Sequence, residues 1–228
     1  ATQSSILFDE RDREHLLALY DESITRADSL IGSFLDEVKN LGLLDKTIVI
    51  FTSEHGDMFG KYGRFMRGGP LRGTFYDDVL HVPLIIRLPD TNPARIDSLV
   101  QHIDLFPTLL ELLGLPKKSH IEGSNLLPLI SQSLKINDYI FAGSEFKPDL
   151  NNPYFAKKTR VEALRNRDWK LIEETVFEEN GTSSQKIELY DIKQDKDELH
   201  NLAEKRSDIL QMLQSKLHDL SKKVLFDN

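Results

Sequence analysis

At 228 residues, with 39% apolar and 29% charged content and a mean hydropathy of -0.37, the chain has material for one large domain, or for a medium one plus a small one. A net charge of -8 argues against nonspecific nucleic-acid binding, which needs a basic surface, so an anionic substrate must be recruited by a local cationic cluster or a metal. Cysteine is absent, which excludes disulfides, thiolate metal sites and a cysteine nucleophile within this chain, and no apolar run approaches the roughly 18 residues of a membrane-spanning helix.

Residues 1–9 read as a tail or connector, with no signal-like apolar segment. From Glu10 to Asn40 apolar residues such as Leu16, Leu17, Tyr20, Ile24, Ile31 and Phe34 recur at three- and four-residue steps, which predicts a long amphipathic helix ending near Gly42. A short turn, Leu43 to Lys46, leads into a strand over 47–52. Its unbroken apolar, β-branched run is how a strand buried on both faces of a parallel sheet reads.

That run stops in the polar cluster Ser53-Glu54-His55-Gly56-Asp57. In open α/β sheets the carboxyl ends of strands line the ligand crevice, and two carboxylates beside an imidazole suit a divalent cation, or an anion held through one. An ordinary loop with a helix cap is the competing reading of the same residues. A glycine-rich loop follows, carrying Lys61, Arg64, Arg67 and Arg72 within an acidic protein. It leaves from the same strand end, and a planar guanidinium can grip two oxygens of an anion at once.

Tyr76 to Leu80 reads as a helical turn, and His81 to Pro89 as a second buried strand. Leu99-Val100 reads as the start of another short strand, Ile103 to Gly114 as a helix with Asp104 near its cap and Pro107 in its first turn, and Leu126 to Ile130 as a short helix. Beyond about residue 136 the texture changes. Tyr139 to Gly143 is strand-like, 160–176 and 186–191 read as antiparallel strands around a polar tip with Asn180-Gly181, Asp195 to Glu198 is a charged turn, and Ser207 to Val224 is a closing amphipathic helix. The expected division is residues 1–135 as an α/β part and 136–228 as a small α+β subdomain.

Several of these stretches together resemble the C-terminal half of the type I sulfatases of the alkaline phosphatase superfamily. They are the helix–strand unit from Tyr20 through Thr47-Ile48-Val49-Ile50-Phe51-Thr52-Ser53-Glu54-His55-Gly56-Asp57, then Tyr76-Asp77-Asp78 with Val82-Pro83-Leu84-Ile85-Ile86, and His102-Ile103-Asp104-Leu105-Phe106-Pro107-Thr108. Glu122-Gly123-Ser124-Asn125-Leu126-Leu127-Pro128 follows, and last comes Glu188-Leu189-Tyr190-Asp191 with Asp195, Glu198, Asn201 and Leu202. Each alone is weak; in the family's order, over about residues 16 to 205, they are specific.

The resemblance implies the later strands of a large mixed sheet between helices, followed by a small antiparallel sheet with a terminal helix. It also implies hydrolysis of sulfate esters, with a formylglycine nucleophile and a divalent cation. Glu54 and His55 match the family's second pair of metal ligands, with Glu where Asp is usual. The extra methylene moves the carboxylate by about 1.5 Å, which calcium tolerates better than small, stiff cations, whereas an imidazole leans toward manganese or zinc. Calcium is the first choice and manganese or zinc the alternatives. For the basic residue before the Tyr-Asp-Asp stretch Arg72 is the first choice and Arg67 the second.

The family's nucleophile motif and first two aspartate ligands have no counterpart in residues 1–46. The chain by itself is therefore expected to hold half a metal site and to lack sulfatase activity. A phosphonate monoester or phosphodiester hydrolase of the same superfamily, or a noncatalytic anion- or partner-binding module, are the alternatives. A flavodoxin-like nucleotide binder is disfavoured because no glycine-rich phosphate loop joins a strand to a helix. Expected partners are a small sulfate ester and, through an exposed sheet face or edge, other copies of the fragment. Periplasmic or secreted placement is implied only through the family.

Overall fold

The computed structural model describes residues 9–67, 71–89, 91–117, 119–132, 136–149, 151 and 156–224. These divide into two compact units, the first within residues 1–69 and 78–92, the second within 70–77 and 93–228.

The first unit opens with helix α1, Glu10–Asn40. Its start is fixed by a reciprocal cap: the Asp9 carboxylate accepts from the Asp12 amide (2.9 Å) and the Asp12 carboxylate from the Asp9 amide (3.1 Å). Acids in the first turn and Lys39 in the last complement the helix dipole, and Gly42 follows in the left-handed conformation (φ 68°) that ends helices. No residue of α1 is fully buried.

A 3-10 turn, Leu44–Lys46, leads into β1, Val49–Thr52. Strand β1 pairs antiparallel with β4, Leu84–Arg87, with Val49 opposite Arg87 and Thr52 opposite Leu84. The Arg87 guanidinium ties this pair back to the turn by donating to the carbonyl of Leu44 (2.7 Å). The expectation of parallel strands buried on both faces does not hold: the pair is antiparallel, and Phe51 and Ile85 are exposed. A run of valine and isoleucine encodes a β-strand but not the direction of its neighbour, and its burial depends on what covers it. Between them lie β2, Met58–Phe59, and β3, Phe65–Met66, a miniature antiparallel hairpin where only a loop was expected, and helix α2, Asp77–Leu80.

In the second unit a 3-10 segment, Leu71–Phe75, precedes Tyr76 and Asp77. Helix α3, Leu105–Leu112, and helix α4, Leu127–Gln132, fall where the periodicity placed them, whereas Leu99-Val100 forms no strand. Asp104 stands at the start of α3, yet its buried carboxylate does not cap that helix. It accepts from the amides of Gln101 (2.9 Å) and Ser124 (2.8 Å) and from the Asn137 side chain (3.1 Å). Thr108 repeats the pattern, its hydroxyl receiving the Leu126 amide (2.9 Å), so the stretch around Asp104 and that around Ser124 are one hydrogen-bonded knot.

The four-stranded antiparallel sheet runs in the order β5 (Ile140–Phe146), β6 (Thr159–Arg165), β7 (Trp169–Phe177), β8 (Ser183–Asp191). The span 160–176, read above as one strand, is two, joined at a tight turn where Asn166 accepts from the amides of Asp168 and Trp169. The β7–β8 hairpin closes around Asn180-Gly181 as expected, with Gly181 left-handed at φ 83°.

Directly opposed residues of an antiparallel sheet share a face. One face sets Leu164, Leu171 and Leu189 in register, and onto them helix α5, Ser207–Val224, lays Leu213 and Leu217 to form a fully buried cluster. Asn201 clamps the β8 edge, accepting from the Leu189 amide (2.9 Å) and donating to the carbonyl of Ile187 (3.0 Å). The opposite face carries Arg165, Lys170, Glu188 and Tyr190.

Candidate functional site

Glu54 and His55 sit just past the end of β1, in the first unit. The turn that carries them is braced: the Ser53 hydroxyl donates to the carbonyl of His55 (2.8 Å), and the Gly56 amide donates to the carbonyl of Val79 (2.8 Å). Glycine is required at position 56 by close approach rather than by a left-handed turn, since a Cβ there would collide with the carbonyl oxygen of Asp78.

The two side chains converge, with His55 Nε2 at 3.7 Å from Glu54 Oε1. With its proton on Nδ1, the imidazole donates to the carbonyl of Gly56 (3.0 Å), which leaves the Nε2 lone pair on the side of the carboxylate. Metal–donor bonds run about 2.0–2.6 Å, so one ion can bridge two atoms at the observed separation. The Glu54 side chain is 84% exposed and that of His55 31%, so both remain accessible. The residues therefore fit a divalent cation as two of its ligands. Among the described residues no group of three or more His, Cys, Asp or Glu side chains gathers to complete a site.

The basic loop distributes its charges unequally. Lys61, mostly buried, is committed to an ion pair with Asp78. Arg67 is exposed. Arg72 lies on the 3-10 segment Leu71–Phe75 of the second unit, and its side chain falls outside the described residues. Two non-glycine residues of the loop, Tyr62 (φ 54°) and Met66 (φ 56°), are held left-handed, a strain that only a constrained loop sustains.

The second unit holds a different kind of polar centre, which the sequence reading did not single out. The Asp77 carboxylate receives Arg165 and the Lys170 ammonium (2.7 Å), and Lys170 also lies 2.6 Å from Glu198. Glu198 in turn accepts from the Asp77 amide (2.7 Å). Lys170 is 1% exposed and Glu198 0%. Burial pushes the Glu198 carboxyl above its ordinary range, opposed by Lys170 and reinforced by Asp77. Beside this cluster the Tyr76 hydroxyl donates to Glu188 (2.8 Å), and the Tyr190 hydroxyl donates to the same oxygen (3.1 Å). Glu188, Tyr190 and Glu198 belong to the stretches quoted above; Lys170 stood in an apolar strand with no signal of its own.

Comparison with known proteins identifies the family of the chain. The sulfatase family profile matches residues 2–115, and that of the N-sulphoglucosamine sulphohydrolase C-terminal domain matches 71–223. Arylsulfatase K of Bos taurus is 30% identical over 221 residues and that of Homo sapiens 28%, in each case covering 93% of this chain and 38% of the relative. The chain thus spans well under half the length of the curated relatives it matches. Among solved structures, BT4656 in complex with its substrate D-glucosamine-2-N, 6-O-disulfate superposes with a TM-score of 0.69 at 25% identity, covering 87% of this chain and 39% of that one. BT1596, a 2-O GAG sulfatase, gives 0.76 at 25% identity over 95% and 45%. The matched profiles together run over almost the whole sequence, and the chain belongs to the sulfatase family.

Proposed function

We propose that this chain is the C-terminal region of a sulfatase that hydrolyses sulfate esters. In this reading Glu54 and His55 are two ligands of a divalent cation, and the nucleophile and remaining ligands come from outside the chain. The cation supplies charge neutralisation at the sulfate oxygens. This chain's own residues do the rest: Gly56 and Ser53 hold the ligand turn, the Gly56 carbonyl keeps the imidazole in the tautomer that presents Nε2, and a cationic side chain binds the sulfate group. Arg72 is our first choice for that cationic residue and Arg67 the second. Calcium is the first choice of metal, favoured by the longer, adaptable Glu54 carboxylate, and manganese or zinc follow because of the imidazole.

We read residues 1–135 as the closing part of the α/β domain and 136–228 as the C-terminal subdomain. The apolar side chains left open on α1 and on the β1–β4 pair are those that the rest of the α/β domain covers, and in isolation they are where copies of the chain associate.

The observation that carries the proposal is the convergence of Glu54 and His55 with Nε2 left available, in a chain of this family. The test is a side-by-side assay of the full-length polypeptide against 4-nitrophenyl sulfate, D-glucosamine-2-N, 6-O-disulfate and bis(4-nitrophenyl) phosphate, with bound metal quantified by mass spectrometry. A sulfate ester should be preferred, and His55→Ala should release metal and lower turnover together. Preference for the phosphodiester would favour the phosphonate and phosphodiester hydrolases instead, and full metal retention in His55→Ala would remove the ligand assignment.

A further inference from the structure

The four-stranded sheet spends its two faces differently. One is packed with leucine against α5, whereas the other buries Lys170, Glu188 and Tyr190, beside the half-buried Arg165 and together with Glu198 from the turn after β8. All of these converge on two consecutive residues, Tyr76 and Asp77. The phenol of Tyr76 ends on Glu188, and the carboxylate of Asp77 on Arg165 and Lys170. The backbone amide of Asp77 ends on Glu198.

Such a cluster is not what stability alone would select, because desolvating its charges offsets most of their attraction and apolar side chains of similar size serve a fold as well. What it does supply is position. Glu198 is itself held in the left-handed region (φ 53°) without being glycine, with its amide donating to the carbonyl of Asp195 (3.1 Å), a conformation that persists only where surrounding contacts enforce it. Tyr76 and Asp77 immediately follow the segment Leu71–Phe75, whose last residue, Phe75, is buried with Tyr76. Fixing one end of a five-residue 3-10 segment fixes the backbone that carries Arg72.

We propose that Glu198 and Lys170 are positioning residues for Arg72, acting through the Tyr76–Asp77 socket on the polar face of the C-terminal sheet. The inference rests on the reading of Arg72 as the sulfate-binding side chain. It adds a role for two residues that are far from Arg72 in sequence.

The test is a double-mutant cycle in the full-length polypeptide, with 4-nitrophenyl sulfate as substrate and amide hydrogen exchange read across residues 71–78. Glu198→Ala should speed exchange of the Asp77 amide and its neighbours and lower kcat/KM about tenfold to a hundredfold, the scale of a misplaced catalytic group. Glu198→Gln keeps an acceptor for that amide and should retain most activity. The decisive arm is the combination with Arg72→Ala. If Glu198 acts through Arg72, then Glu198→Ala costs nothing further in that background, whereas an equal loss in both backgrounds overturns the proposal. Unchanged exchange over 71–78 overturns it as well. Should Glu198→Ala not fold, Glu198→Asp, which withdraws the carboxylate by one methylene, replaces it in the cycle. Arg72→Ala with full activity would sink the assignment of Arg72 itself, and the proposal with it. A damaging Arg72→Ala beside a harmless Glu198→Ala would sink only the positioning role.

Discussion

The two units treat charge in opposite ways. In the first, the acid and imidazole at the end of β1 are open to solvent while apolar side chains stay exposed, Phe34 of α1 at 67% and Ile85 of β4 at 62%. In the second, Lys170 and Glu198 are sealed against Asp77, and the sheet leucines Leu164, Leu171 and Leu189 are packed away under α5. Adjacent carboxylates show the contrast at single-residue scale: Asp77 is held within the second unit by Arg165 and Lys170, and Asp78 within the first by Lys61. The lesson is that exposure, rather than the mere presence of acids and bases, separates residues available for binding from residues that set shape.

The contrast is most directly broken at Lys170. Replacing it by methionine leaves two carboxylates buried without their ammonium and should cost about 3–5 kcal/mol in urea unfolding. A midpoint unchanged from wild type would mean that the cluster is not sealed as described. Next in size, Asn201→Ala removes both hydrogen bonds that clamp β8, and should cost about 1–3 kcal/mol because the Leu189 amide and the Ile187 carbonyl lose their partner.

A third effect concerns pH, and here Asp195 and Glu198, at the two ends of one turn, differ in sign. The native state raises the Glu198 carboxyl, so its contribution is full below the ordinary carboxyl range and is lost as pH rises through the native value. For Asp195 burial acts upward, but the amides of Leu199 (3.0 Å) and His200 (2.8 Å) outweigh it and hold the carboxyl down. Its contribution is present above the ordinary range and lost as pH falls through the native value. Unfolding midpoints measured from below to above about pH 4 should therefore fall relative to Glu198→Gln as pH rises, and relative to Asp195→Asn as pH drops. Parallel curves for either pair would remove that carboxyl from the account.

The smallest effect sharpens the comparison from the other side. Glu54→Ala, at an exposed position in the first unit, should change stability by no more than about 0.5 kcal/mol when both proteins are unfolded in the presence of a chelator, so that metal linkage does not enter. A large loss would show that Glu54 is structural.

Much of the architecture could be read directly from residue patterns. Helix α1 runs from Glu10 to Asn40 and α5 from Ser207 to Val224, as periodicity and caps indicate, because both signals are local. The hairpin at Asn180-Gly181 is equally local. The direction and burial of β1 and β4 are not legible in this way, since the same apolar run serves either direction and either degree of burial. At the candidate site Glu54 and His55 were legible because they follow a strand within a patterned stretch. The tautomer that presents Nε2 was not, because it depends on how the ring meets the Gly56 carbonyl. Lys170 gave no sign at all. A lysine in the strand Trp169–Phe177 looks like a solvent-facing alternate, and only the approach of Asp77 and Glu198, from residues distant in the chain, makes it the most deeply buried cation.

Amino-acid order alone determined the long helices, the Asn180-Gly181 hairpin, the family and the two candidate ligands, because each of these is written in residues a few positions apart. Tertiary structure decided strand direction, the reason for glycine at position 56 and the polar socket around Tyr76 and Asp77. Those depend on which distant groups meet once the chain is folded, and on how much water is left between them.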